Sequence, residues 1–359
     1  MSRCADQGWW RMSDQVQAAR AHVEAGFSGF VGNKDAIYSI KRALIVALAT
    51  AKPPEPPSLS RVFLLQGSPS TGKTEIARRT MATLGVPFIR LDGRGVKTRE
   101  KLFAMIDEAL LAQNLNPVRR PGDSATIPVF DYPAFGVFID EVHMMSERTQ
   151  EAFLTLLEAD DRMMMLDGEG GRRRMASVKK TVWVFATTKP SDLDRAFRSR
   201  CIEISLSRYT VEEVAVMVRA RYPDLPEEAV TTISACSRCV PRQAFTMAEE
   251  VAEELMLDGH ADVRGCVRRV MNGRGVMFAN GTTRDDLRYM ELLYRERRPV
   301  GESLIEQVMH DLDGARISED IEPFLLLKQY ISITSKGRVI TTAGQQFVRD
   351  ARDILESSR

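Results

Sequence analysis

A glycine-rich turn, Gly67-Ser68-Pro69-Ser70-Thr71-Gly72-Lys73-Thr74, constrains this 359-residue chain more than any other stretch. An apolar run, Val62-Phe63-Leu64-Leu65, leads into it, and a helical pattern from Glu75 to Leu84 leads out. The spacing G-x-x-x-x-G-K-[ST] carries meaning in that setting, where a buried strand hands the chain to a turn that opens a helix. Backbone N–H groups of the turn and the positive end of the helix dipole then cradle phosphate oxygens. Gly67, Ser70, Thr71 and Gly72 build the cradle, Lys73 reaches the β- and γ-phosphates, and the Thr74 hydroxyl takes Mg²⁺. The motif predicts a nucleoside triphosphate site.

Charge and cysteine usage narrow what can surround that site. With a net charge of +1, bulk electrostatics carry no nucleic-acid affinity, so any such contact has to come from local basic clusters. No apolar run approaches the ~20 residues of a membrane span, and residues 1–14 lack the apolar core of a secretory signal. Five scattered cysteines, an odd number, suit a reducing cytoplasm. Cys236-Ser-Arg-Cys239, followed by His260 and Cys266, lacks the second close ligand pair of a structural zinc site. Those cysteines read instead as residues near the end of a helix.

Strand and helix patterns alternate after the phosphate loop, which predicts an α/β domain with a parallel sheet and crossover helices. Residues 1–25 read as a polar tail with an unassigned aromatic pair, Trp9-Trp10. A turn then precedes a helix running to about Thr50, and the prolines between Lys52 and Leu59 end it. Val86–Leu91, Val137–Ile139, Val182–Ala186 and Cys201–Leu206 read as strands, Thr98–Leu111 and Ser146–Asp160 as helices. Asn114–Ala134, rich in proline and without helical period, reads as an insertion loop; Arg162–Lys180 reads as a hairpin with Arg172-Arg173-Arg174 on its far arm. The expected domains are 26–208 (nucleotide-binding), 209–279 (all helical) and 280–359 (a third unit).

Two acids end the apolar strand Gly136-Val-Phe-Ile-Asp140-Glu141, where a parallel sheet opens its ligand crevice. Asp140 is placed to hold the metal shell and Glu141 to deprotonate an attacking water. Thr188 ends the next core strand, where a hydroxyl can hydrogen-bond that water or the γ-phosphate. Arg200, in Ser199-Arg-Cys201, has no acid or helix obviously paired with it in the sequence. It reads either as a solvated arginine or as a finger onto a neighbouring subunit's γ-phosphate. Pro241 at a first helical position sets Arg242 in the first turn of a lid helix. In the third unit, Arg284–Arg297, Ser303–Asp311 and Ser318–Gln329 (with Ser318 as N-cap) precede a strand–turn–strand, the pattern of a winged helix. Lys328, Lys336 and Arg338 offer it phosphate-type contacts to DNA.

This order of motifs resembles the AAA+ ATPases and, within them, the RuvB family of Holliday-junction branch-migration motors. The similar stretches are Phe30-Val-Gly32, Asp140-Glu-Val-His143, Ala186-Thr-Thr188, Ser237-Arg-Cys-Val-Pro-Arg242, Pro299-Val-Gly301, Ile321–Leu325 and Lys336–Thr341, spanning about residues 26–349. The resemblance implies ATP as the nucleotide, Val31 and Gly32 at the adenine, Thr188 as sensor 1, Arg200 as the finger and Arg242 as sensor 2. It also implies a hexameric ring on duplex or branched DNA, with a RuvA-like or other protein partner at the 162–180 hairpin. The stretch Arg195–Cys201 reads more like a clamp-loader subunit, which keeps Arg198 as a rival finger. The leading expectation is a DNA motor. Its rivals are a non-translocating ATP switch on DNA and a clamp-loader-like remodeller.

Overall fold

In the computed structural model the described residues are 3–52, 59, 62–121, 127–158, 162–167, 173–258 and 262–357, with side chains from residue 14 onward. Outside them lie Pro53, Pro54, Pro56 and Pro57, the tip of the 114–134 segment, Arg172 with the hairpin turn, His260, and the side chains of Cys4, Trp9 and Trp10. Among the described residues no helix is long and apolar enough to cross a membrane. The chain divides into two units, Met1–Arg208 and Tyr209–Arg359.

In the first unit, α1 (Arg3–Gly26) and α2 (Lys34–Thr50) lead to β1 (Phe63–Gln66), α3 (Lys73–Leu84), β2 (Phe88–Asp92) and α4 (Arg99–Leu111). Short strands β3 (Val118–Arg119) and β4 (Val129–Asp131) precede β5 (Phe135–Asp140) and α5 (Glu147–Glu158). The hairpin strands β6 (Met163–Asp167) and β7 (Arg173–Ser177) then lead to β8 (Thr181–Thr187), α6 (Arg195–Ser199) and β9 (Ile202–Ser205).

Five of these strands form a sheet in the order β2-β5-β8-β1-β9, with every adjacent pair parallel. Helices cover both faces, so the strands are apolar on both sides, as parallel strands have to be. Leu64, Val137 and Ile139 pack with α4 and α5, whereas Phe63, Leu65 and Phe138 pack with α1, α2 and α3. The register aligns Gln66 with Thr187 and with Ser205, and Asp92 with Asp140. The strand ends carrying the sequence-predicted acids and threonines therefore share one edge with the phosphate loop.

Two expectations for this unit change. The polar tail is the helix α1, which buries Ala19 and Val23 on one stripe against α2 and α3. His22 Nε2 lies 2.9 Å from the Thr83 carbonyl. The 114–134 segment is not simply a loop: β3 and β4 join the hairpin in a second sheet of order β3-β4-β7-β6. There β4 runs parallel to β7 and antiparallel to β3, so the segment covers an edge that the hairpin would otherwise expose.

The second unit begins with α7 (Val211–Arg221), α8 (Glu227–Cys236), α9 (Pro241–Leu257) and α10 (Val263–Gly273), which enclose one apolar core. Next come α11 (Arg284–Glu296), α12 (Glu302–Val308), α13 (Gly314–Arg316), α14 (Glu322–Leu327), β10 (Ile331–Thr334), β11 (Gly337–Ile340) and α15 (Thr342–Ser357), around another. The antiparallel β10–β11 pair is the wing. Ser318 is not an N-cap: Asp313 caps the third helical stretch by accepting from the Ala315 N–H. Ser318 lies inside, in a π-turn over Ile317–Ile321, just ahead of Pro323, which has no N–H to continue an i→i−4 ladder.

A buried ion pair fastens the two parts of this unit. Arg238, left-handed at φ 57°, is buried and donates to Asp286 at 2.5 Å, with its guanidinium 4.4 Å from the Phe324 ring centroid. Asp286 is fully buried at the third position of α11, where it also closes a capping box with Thr283. Burial pushes its carboxyl above the usual range, and Arg238 opposes that shift. Removing one member of such a pair strands the other. Arg238→Ala is therefore expected to lower unfolding stability by about 3–5 kcal/mol, read as a drop in the urea midpoint; a change below about 1 kcal/mol would mean that water reaches Asp286.

Candidate nucleotide site

The phosphate loop is shaped by backbone conformations that its residue types permit. A Cβ at Gly67 would come 2.7 Å from the Leu206 carbonyl, and Gly72, at φ 92°, opens α3 from the left-handed region, which glycine enters at little cost. Thr71 is buried and its hydroxyl donates to the Ser68 carbonyl at 2.9 Å. Lys73 folds back over the turn, donating to the carbonyls of Gly67 at 2.7 Å and Ser68 at 3.0 Å. Burial pulls its ammonium below the ordinary lysine range, while the charges of Glu141 and Asp140 pull it back up. The loop lysine and the two strand-end acids thus belong to one electrostatic site. Thr74 follows Lys73 in the first turn of α3.

Asp140 ends β5 and accepts from Arg90 at 3.0 Å. Glu141 turns the chain through a left-handed conformation at φ 48°, which aims its carboxylate at the end of β8. Its Oε2 accepts from the Thr188 N–H at 3.1 Å and the Thr188 hydroxyl at 2.8 Å. His143 Nδ1 lies 3.2 Å from the same oxygen and 3.0 Å from Thr187 Oγ1. Four predicted positions, Lys73, Asp140, Glu141 and Thr188, meet here.

Other predicted residues are placed elsewhere. Val31 and Gly32 form the half-buried turn between α1 and α2, with Gly32 at φ 77°. The neighbouring Asn33 spans to the chain just after β9, accepting from the Ser207 N–H at 2.7 Å and donating to its carbonyl at 3.3 Å. Arg200 follows α6 and donates to the Ala196 carbonyl at 2.7 Å, a local partner that the sequence did not reveal. Arg198 forks onto Glu203 at 2.8 and 3.1 Å, and Glu203 also accepts from Gln66 at 2.6 Å. Arg242, in the first turn of α9, is exposed.

On the winged helix, Lys336 is exposed in the turn of the wing and Lys328 sits at the end of α14, its Nζ 5.7 Å from the Phe324 ring centroid. Arg338 is different: its guanidinium lies inside, on Glu322 at 2.9 and 3.3 Å, and Glu322 also accepts from the Tyr289 hydroxyl at 2.6 Å. Through that network Arg338 ties the wing to α14 and α11, which occupies part of the guanidinium that the sequence offers to a phosphate. On the hairpin, Arg174 pairs with Asp107 at 2.6 Å and Arg173 with Asp167 at 3.2 Å.

Comparison with known proteins follows this layout. Residues 63–209 match the ATPase family associated with various cellular activities (AAA), and residues 279–349 match the RuvB C-terminal winged helix domain. The chain is a diverged, RuvB-like AAA+ ATPase. It is 22% identical over 329 residues to the Holliday junction branch migration complex subunit RuvB of Mycoplasma pneumoniae, covering 90% of this chain and 96% of that one. The RuvB of Anaplasma marginale is 24% identical over 333 residues, covering 90% and 92%. A point mutant of Thermotoga maritima RuvB has the same fold, with a TM-score of 0.68 at 21% identity over 89% of this chain and 96% of that one.

Sequence reasoning missed Asn33, Gln66, Arg90 and His143. Each acts through a partner about 40 to 175 positions away or through an unusual backbone turn, and neither is visible in a local pattern.

Proposed function

We propose that the protein is an ATP-driven, oligomeric DNA motor of the RuvB type, working in the cytoplasm. The observation that carries this reading is the joining of an AAA+ domain to a RuvB-type winged helix in one chain, aligned with RuvB from nearly end to end. Val31 and Gly32 take the adenine side of ATP. The loop backbone from Gly67 to Gly72 and the Lys73 ammonium hold the phosphates. Thr74 and Asp140 present hard oxygen ligands, the donor type that suits Mg²⁺. Mg²⁺ bound with the nucleotide neutralises charge developing on the transferred phosphoryl group. Glu141 accepts the proton of the attacking water, Thr188 orients Glu141, and Arg242 is the candidate for sensor 2.

DNA binding falls to Lys328 and Lys336, with Arg338 holding the wing rather than the phosphate. The hairpin sheet is better suited to a RuvA-like protein partner than to DNA. Arg173 and Arg174 are neutralised by Asp167 and Asp107, while Val118 and Met165 are exposed on β3 and β6.

Binding to duplex, forked and four-way DNA across a salt series, with ATPase measured alongside, tests the reading. Every lysine taken away from a DNA phosphate lowers the slope of log affinity against log salt by roughly 0.9. Replacing Lys328 and Lys336 together by alanine is expected to lower the slope by about twice that, equally for different duplex sequences, with DNA-free ATPase unchanged. An unaltered slope would make the winged helix a protein-binding module and remove the motor reading's main support.

A further inference from the structure

Two donors of Thr188 converge on one oxygen of Glu141, and His143 Nδ1 lies beside it. Oε2 accepts both hydrogens of Thr188 and faces His143 Nδ1 at 3.2 Å, whereas Oε1 has no hydrogen bond among the described residues. His143 reaches back to its own near neighbour because Glu141 is left-handed and Val142–Met144 form a single 3₁₀ turn. The ring is buried, with 7% of its side chain exposed. A carboxylate oxygen offers only lone pairs, so a bare Nδ1 lone pair at this distance would repel it. The tautomer that fits carries its hydrogen on Nδ1 and donates it to Thr187 Oγ1, with the positive end of that N–H beside Glu141 Oε2. Thr187 Oγ1 is itself held from the other side, accepting from the Lys189 N–H at 3.0 Å.

The terminal torsion of a glutamate is broad, so a carboxylate held at one point still swings. We propose that His143 is a positioning residue for ATP hydrolysis: held on Thr187 with its Nδ1–H beside Oε2, it backs the two Thr188 hydrogen bonds and stops that swing, leaving Oε1 to take the proton of the attacking water. The inference rests on Glu141 being the base. In the step, the water oxygen bonds to the γ-phosphorus, the bond from that phosphorus to the β–γ bridging oxygen breaks, and ADP and phosphate leave. The water proton goes to Glu141 Oε1, and His143 gains and loses nothing.

Asparagine places an amide N–H near the position of Nδ1, and glutamine places it near Nε2, so the two substitutions separate a hydrogen-bonding role from a space-filling one. Single-turnover ATP hydrolysis is measured for His143→Asn, His143→Gln and His143→Ala, together with ATPγS affinity and thermal midpoint. Small misplacements at a reacting centre cost up to about 10²-fold. The Gln and Ala variants are therefore expected to hydrolyse about 10–10²-fold more slowly at unchanged ATPγS affinity, while the Asn variant stays within about threefold of the parent. Asn as slow as Ala, Ala as fast as the parent, or a rate loss matched by an equal affinity loss overturns the proposal. Should His143→Ala not fold, the Asn and Gln pair decides alone, and equal rates overturn it. The base assignment fails separately: it is lost if Glu141→Gln hydrolyses normally, whereas an inert Glu141→Gln beside a fully active His143→Ala sinks only the role of His143.

Discussion

Glu141→Gln is expected to bind ATP with Mg²⁺ about as well as the parent and to hydrolyse it at least about 10²-fold more slowly. The substitution is nearly silent structurally, which makes the expected loss informative. Both hydrogens of Thr188 point at Oε2, so the glutamine carbonyl takes that place and its NH₂ group takes the place of Oε1. An amide NH₂ cannot accept a proton from water, and the chemistry stops while the hydrogen bonds remain. Lys73→Ala fails differently. It removes a buried cation that sits among loop carbonyls and the two acids. Charged hydrogen bonds contribute about 1.5–3 kcal/mol, so ATP affinity itself falls, by about 10–10²-fold. Equilibrium binding of ATPγS and steady-state ATPase on both variants separate the two losses. Hydrolysis by Glu141→Gln close to the parent rate would remove Glu141 from the chemistry.

The parts of this molecule that a reader finds in the sequence are those encoded by neighbours. The phosphate loop is eight consecutive residues, and the Thr98 cap of α4 lies three residues from the N–H that it accepts. The core strands announce themselves because burial on both faces demands unbroken apolar runs such as Val137-Phe-Ile139. What stayed hidden depends on distant pairing. β3 and β4 are two and three residues long, too short for any periodicity, and they are strands because β7 supplies the hydrogen bonds of β4 and β4 those of β3. Among its described side chains α1 buries only a narrow stripe at Ala19 and Val23, and that stripe has meaning only once α2 and α3 lie beside it. Arg338 looks like a wing cation until Glu322 is brought against it from α14. Asp140 and Glu141 were readable as a pair; that Thr188 hydrogen-bonds Glu141 and His143 lies beside it follows from a left-handed turn at a non-glycine residue, which no pattern signals.

Arg200→Ala is expected to lose ATPase by roughly 10³–10⁵-fold if the arginine acts as a finger, and the loss should be repairable by mixing. Ile202 pairs with Phe63 and Ser205 with Gln66, the residue before the phosphate loop. The strand alone puts roughly 10 Å between the level of Ile202 and that of Gln66. Arg200 lies two residues further back, with its guanidinium on the Ala196 carbonyl. It also adjoins the edge strand β9, separated from β5 and its acids by β1 and β8. That is farther than an arginine side chain spans, so Arg200 does not serve its own nucleotide, whereas a ring would bring it to the next one. In a head-to-tail ring assembled from equal parts Arg200→Ala and Glu141→Gln, about one interface in four joins an intact arginine to an intact glutamate. ATPase should therefore return to a measurable fraction of the parent's in the mixture, though each variant alone is inert. Mass measurement of the mixed rings has to accompany the assay, since unmixed rings would mimic failure. Confirmed mixed rings without recovery would rule out action across the interface by Arg200. The finger would then pass to Arg198, which would first have to leave its fork on Glu203.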